Sequence, residues 1–114
     1  VLQNEQQIDA VTGVSGSGPA YVFLMIEALA AAGVNQGLPV DMAMQLAQAT
    51  VAGAGALAVR SEESAEQLRI NVTSPNGTTQ AALEVLMRSD AGLSQLVDQA
   101  VSAARQRSQE LSNG

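Results

Sequence analysis

The chain has 114 residues, 46% of them hydrophobic and 2% aromatic, with a formal net charge of -6. That length suits one domain, and 5 basic residues, all arginine, against 11 acids disfavour nucleic acid and adsorption to an anionic membrane. Cys and His are absent, which excludes disulfides, thiol redox chemistry and imidazole catalysis and leaves no ordinary donor set for zinc, so no metal is expected.

With Tyr21 and Phe23 as the only aromatics, the core must come from Leu, Val, Ile, Met and many Ala. Alanine buries little area per residue, so a small domain built from it gains limited hydrophobic stabilisation for its length. A second copy of the chain would supply the missing burial, and small side chains let helices approach closely. No basic stretch followed by an apolar run and cleavage site is present. Glu27 and polar residues at helical spacing interrupt the longest apolar stretches, so no transmembrane span is expected. The expected compartment is the cytoplasm.

Val1 and Leu2 read as the tail of an upstream element. Asn4 or Glu5 opens a short helix ending near Val14, with Ile8, Val11 and Val14 on its inner side. Ser15-Gly16-Ser17-Gly18 reads as a hinge or tight loop. Ser17 is placed to cap the next helix, with Pro19 in its first turn, where a missing N–H costs nothing. Tyr21, Leu24, Met25, Ala28, Leu29 and Ala32 recur at three- and four-residue intervals, the period of a helix. Gly33 is the expected stop, with Gly37 prolonging the turn.

Pro39 starts a third helix that runs to about Val59, with Asp41 in its first turn, where the dipole favours an acid. Gly53 and Gly55 lie inside it, flanked by alanines. Two readings are open: a locally frayed or bent helix, or a close crossing by another backbone. Ser64-Ala65-Glu66-Gln67 matches a capping box and opens a short helix with Leu68 and Val72. A helix from about Thr78 to Arg88 carries Leu83, Leu86 and Met87 inward. The last helix runs from Ala91 to about Leu111, with Leu93, Leu96, Val97, Ala100, Val101 and Ala104 inward and Arg105 and Arg107 toward its C-terminal half. Ser112, Asn113 and Gly114 fray. No segment reads as a strand, so the expected fold is an all-α bundle of about six helices.

The stretch Val72-Thr73-Ser74-Pro75-Asn76-Gly77-Thr78-Thr79 is where small polar residues, a proline and a glycine break the alanine-rich pattern together. Pro75 disfavours an α conformation at Ser74, and Asn76-Gly77 suits turn or left-handed geometry. Gly77, Thr78 and Thr79 would then offer the unpaired N–H groups of a first helical turn, with the Ser74 and Thr79 hydroxyls as further donors. That set suits a small carboxylate. The competing reading is an ordinary Ser-Pro turn with Thr78 or Thr79 as N-cap. The Ser15–Gly18 loop is not a phosphate-binding fingerprint, because neither a full Gly-x-Gly-x-x-Gly run nor a preceding strand is present. Tyr21 reads as core. Glu27, Arg69 and Arg88 read as surface residues. No nucleophile and base are paired.

Asp9-Ala10-Val11-Thr12-Gly13-Val14-Ser15-Gly16-Ser17-Gly18-Pro19-Ala20-Tyr21-Val22-Phe23 looks like one signature of a known family. Leu68-Arg69, then Asn71-Val72-Thr73-Ser74-Pro75 with Gly77-Thr78-Thr79, looks like its second. With Glu27-Ala28-Leu29, Gly33-Val34 and Gly37-Leu38-Pro39 between them, essentially the whole chain resembles the C-terminal domain of pyrroline-5-carboxylate reductase. The resemblance implies that residues 1–114 are a helical dimerisation and substrate-binding domain. It further implies an N-terminal Rossmann domain, absent from this chain, that binds NADPH or NADH. The implied reaction reduces 1-pyrroline-5-carboxylate to L-proline, the last step of proline biosynthesis, and this chain alone would be inactive.

The implied assembly is an interlocked homodimer, in some members a decamer of five dimers, with the active site between one subunit's nucleotide domain and its partner's helical domain. By the same resemblance Ser74, Asn76, Gly77 and Thr78 belong to a loop that clasps the substrate carboxylate. Thr79 would sit near the ring nitrogen and help supply its proton. Ser15, Gly16, Ser17 and Gly18 would lie near the substrate and nicotinamide. Asn76 stands where the family usually has Gly, and Ile70 where an acidic residue is common. Two other functions are weighed against this one: a non-catalytic helical assembly module that has lost substrate binding, and the helical domain of another dehydrogenase.

Overall fold

The structure, a computed structural model, describes residues 5–113. The readings placed on Val1, Leu2, Asn4 and Gly114 lie outside the described residues. Within them the chain is all-α: α1 is Glu5–Val11, followed by a π-helical segment Thr12–Gly16, then α2 Gly18–Asn35, α3 Val40–Arg60, α4 Ala65–Asn71, α5 Thr78–Leu86 and α6 Leu93–Asn113. The described residues contain no strand, as expected from the helical periodicity.

The chain divides into two compact units. One joins the N-terminal residues through Pro19 to the stretch from Thr73 onward; the other is Ala20–Val72. In the first, α6 packs against α1 and the π segment. In the second, Ala30, Ala43 and Ala47 form the buried core, with Ile26 and Met44 packed against it.

Gly33, expected to stop α2, lies inside it. The helix continues to Asn35, and Gly37, at φ 103, is the residue that turns the chain. Leu38 N–H bonds to Gly33 C=O (3.0 Å) and Gly37 N–H to Val34 C=O (2.9 Å), the Schellman pattern that closes a helix on a left-handed residue. Gly33 has a packing role instead: a Cβ there would lie 3.3 Å from both Ala43 Cβ and Leu38 Cδ1. Pro39 is the N-cap of α3, and Asp41 sits in the first turn. Among the described residues nothing beyond the helix's own backbone lies within 4 Å of a Cβ built at Gly53 or Gly55, so no close crossing occurs at those glycines there.

Ser64 caps α4 by accepting from Gln67 N–H at 3.0 Å. The return half of the capping box is replaced: the Gln67 amide donates to Asn71, which in turn donates to Glu63. At the other end of the chain, α6 extends two residues beyond Leu111, so Arg105 and Arg107 fall outside its last turn. The dipole stabilisation expected for them decays over that distance.

The expectation of no transmembrane span is not overturned, but two helices do reach the length and hydropathy of one. Gln7–Asn35, of 29 residues, and Val40–Arg60, of 21 residues, are long and apolar enough by length and composition to cross a bilayer. The cause is the alanine and valine content, which outweighs single polar residues such as Glu27. Most large apolar side chains on these helices are also exposed, among them Phe23, Leu24, Leu46 and Leu57.

Candidate functional site

Ser74, Pro75, Asn76 and Gly77 form a closed turn in which Gly77 N–H donates to Ser74 C=O at 3.0 Å. Asn76 takes φ 60, the one positive φ at a non-glycine position among the described residues. This is the pattern of a type II turn: proline favours the second position and the third needs a residue that tolerates positive φ. Asn76 fills that place where glycine would be the default. Gly77 is constrained by space, since a Cβ there would lie 3.2 Å from Ser74 O.

Gly77 is the N-cap of α5, and no side chain caps the helix. The reading of Thr78 or Thr79 as an ordinary N-cap is therefore incorrect. The reading of Gly77 N–H as a free donor is incorrect as well, because the turn uses it, and Asn76 N–H donates to the Gln80 side chain. The first backbone bond of α5 runs from Ala81 N–H to Gly77 C=O. The N–H groups of Thr78 and Thr79 precede that first bond, beside the Ser74 and Thr79 hydroxyls. Ser74 and Thr78 are exposed and Thr79 half-buried. Donors at the positive end of a helix, without a cation, make a modest site for a small carboxylate.

Ser15 to Gly18 is not the hinge expected. Ser17 N–H bonds to Thr12 C=O at 2.8 Å, the closing bond of the π segment, and α2 follows at once from Gly18. Ser17 therefore ends the π turn instead of capping α2, while Pro19 is in the first turn of α2 as expected. Thr12 Oγ1 donates to Ile8 C=O (3.0 Å) and Ser15 Oγ to Val11 C=O (3.1 Å), so both hydroxyls are turned back on the helix. A π turn arises from one extra residue in a helix and recurs at functional positions. The two loops belong to the same compact unit, and each is held by its own local bonds.

Two residues near these loops gave no separate signal in the sequence. Gln80 reads as an ordinary helix residue, yet holds Asn76 from one turn below. Asp9 appears only as part of a signature, yet is buried and bonded to Ser108 in α6. Asp9 shares a helix face with Gly13, four residues on, and that face, not the exposed Ile8 and Val11 side, is the buried one. Among the described residues no group of acidic side chains could hold a metal ion.

The family described as pyrroline-5-carboxylate reductase dimerisation matches residues 5–111. The chain belongs to this family. It is 50% identical over 110 residues to pyrroline-5-carboxylate reductase of Pseudomonas aeruginosa, covering 96% of this chain and 40% of that protein. To the Synechocystis reductase it is 53% identical over 107 residues, 94% of this chain and 39% of the relative. The chain thus spans about two fifths of the length of these curated relatives. Among solved structures, the Coxiella burnetii reductase superposes with a TM-score of 0.89 at 44% identity, over 96% of this chain and 40% of that one. The Plasmodium falciparum reductase, solved with NADP bound, gives 0.85 at 36% identity, over 93% and 40%.

Within this family the geometry of Asn76 makes a direct prediction. Asn76→Gly should leave unfolding free energy within a few tenths of a kcal/mol, since both residues accept φ 60. Asn76→Val should cost about 1–2 kcal/mol, because a β-branched residue resists the left-handed region. Denaturant titration of the two variants against wild type checks this, and equal stability of all three would contradict the turn.

Proposed function

We propose that this chain is the helical dimerisation and substrate-binding domain of an enzyme that reduces 1-pyrroline-5-carboxylate to L-proline with NADPH or NADH. The observation that carries the reading is the Ser74–Thr79 turn, which sets the Thr78 and Thr79 N–H groups at the start of α5, ahead of its first backbone bond. It does so in a family whose relatives are named for a carboxylate substrate. The Ser74 hydroxyl and those two N–H groups hold the carboxylate, with Asn76 and Gly77 shaping the turn. Thr79 hydroxyl faces the ring nitrogen, and Ser15, Gly16, Ser17 and Gly18 border the substrate and nicotinamide.

The described residues have neither the strand nor the glycine fingerprint that grips a dinucleotide. In this reading the cofactor is held by an N-terminal Rossmann domain of a longer protein. When bound it supplies a hydride to the imine carbon, while the ring nitrogen takes a proton and the C=N bond becomes single. This chain contributes carboxylate binding, orientation and exclusion of water. The homodimer is supported by the family description and by the exposed apolar faces of α2 and α3. A decamer of five dimers is the higher assembly of the same reading, and the cytoplasm its compartment. The alternative of an assembly module without substrate binding is not favoured, because the turn still sets those donors at the start of α5.

The test is consumption of NADPH in the presence of 1-pyrroline-5-carboxylate. The longer protein is expected to turn over and the 114-residue chain to show none. Turnover by the chain alone would sink this division of labour.

A further inference from the structure

We infer that Asp9 and Ser108 form a latch through which α6 positions the Ser15–Gly18 segment for reaction. The inference rests on the reading of that segment as part of the substrate and nicotinamide pocket. Asp9, at 8% exposure, is the buried acidic residue of the described chain. Its Oδ1 accepts from Ser108 Oγ at 2.7 Å, across 99 residues of sequence. An acid taken out of water is retained only where a partner holds it, so the bond fixes the register of α6 against α1.

Four residues on, the same helix pair meets again. Gly13, buried in the π segment, lies so close to α6 that a Cβ there would be 2.9 Å from Val101 O and 3.2 Å from Val101 Cγ1. The continuous stretch of α1 and the π segment is therefore held against α6 at two levels, Asp9 on Ser108 and Gly13 on Val101. Its own hydroxyl bonds, from Thr12 and Ser15, run only to the preceding turn and cannot set its orientation in the unit. Ser17 and Ser108 also line one groove of about 400 Å³ with Thr12 and Arg107. The latch thus acts beside the residue that ends the π turn. Asp9 and Ser108 are positioning residues: they touch neither substrate nor cofactor in this scheme, and they act through the backbone between Thr12 and Gly18.

The experiment uses the longer, active protein, with steady-state kinetics on 1-pyrroline-5-carboxylate and thermal unfolding on each variant. Ser108→Ala is expected to lower kcat/KM by about 10- to 100-fold at a temperature where the protein is folded, the scale of a small misplacement. Ser108→Thr, which keeps the hydroxyl, is expected to restore most of that loss, a rescue that simple packing would not produce. Because Ser108→Ala strands a buried acid, the double variant Asp9→Leu with Ser108→Ala removes both partners, which is far gentler on folding than removing one. It should fold and keep the kinetic defect. Wild-type kcat/KM in the double variant overturns the latch, as does a Ser108→Thr protein as impaired as Ser108→Ala.

Gly16→Ala and Gly18→Ala separate this from the underlying reading, since a methyl at Gly16 meets only ordinary contact (3.5 Å to Thr12 Cγ2) and one at Gly18 meets nothing within 4 Å. Wild-type kinetics in both would remove the segment from the site and overturn both ideas. A loss there beside wild-type kinetics in the double variant would overturn the latch alone.

Discussion

Thr79→Ala in the longer protein is expected to lower kcat/KM for 1-pyrroline-5-carboxylate by roughly 100- to 10,000-fold, the range for removing a positioned proton-transfer group. Thr79 is the second residue of α5 and half-buried. In the proposed function this half-buried hydroxyl, beside the Thr78 and Thr79 N–H groups at the start of α5, is the group that meets the substrate. Hydride addition to the imine carbon leaves the ring nitrogen in need of a proton, and Thr79 is the O–H group the proposed pose brings to it. Removing a hydroxyl kept for the substrate should change unfolding free energy by about 0.5 kcal/mol or less, so activity and stability should separate. Thr79→Ser, which keeps the O–H, should retain activity to within about tenfold. Wild-type kcat/KM in Thr79→Ala would remove Thr79 from the proton-transfer role.

The helices were legible because their determinants are local. Ser64 and Gln67 cap α4 within one turn, and Pro39 with Asp41 opens α3 by preferences that need no tertiary partner. Local pattern misleads where a distant neighbour decides. Gly33 reads as a stop, but the role it plays is close packing on Ala43. Ser15 to Gly18 reads as a hinge, yet the chain there stays helical with one extra residue in the turn, and α6, which seats on Gly13, is more than 80 residues downstream. The carboxylate loop was legible in kind, since Pro75-Asn76-Gly77 ahead of two threonines specifies a turn running into a helix. Which N–H groups the turn itself uses was not, because that depends on the closing bond from Gly77 to Ser74. The side chains expected to point inward on α5 and α6 illustrate a third limit. Leu86, Leu96 and Val97 keep the helical period but remain exposed, because periodicity identifies an apolar face without identifying what covers it.

That uncovered surface carries the second large prediction: the chain should be stable only as a dimer. Among the described residues the buried apolar core amounts to Ala30, Ala43 and Ala47, side chains too small to offset the ordering of the helices they join. Meanwhile Phe23 is 64% exposed, Leu46 51% and Leu57 53%, and burying such a side chain contributes roughly 1.5–3 kcal/mol. A groove of about 350 Å³ between α2 and α3, edged by Leu29, Leu38 and Leu46, is one place for a second copy to insert. Sedimentation at micromolar concentration should therefore give a dimer or a multiple of it, and tenfold dilution should lower Tm by roughly 3–6 °C through mass action. Leu46→Glu distinguishes a covered face from a solvated one. On a solvated face it would change stability by about 0.5 kcal/mol or less; beneath a second chain it should cost about 3 kcal/mol or more, or abolish the dimer, because a buried charge without a partner is left behind. A wild-type chain that sediments as a stable monomer, with a Tm independent of concentration, would contradict the assembly and the burial argument beneath it.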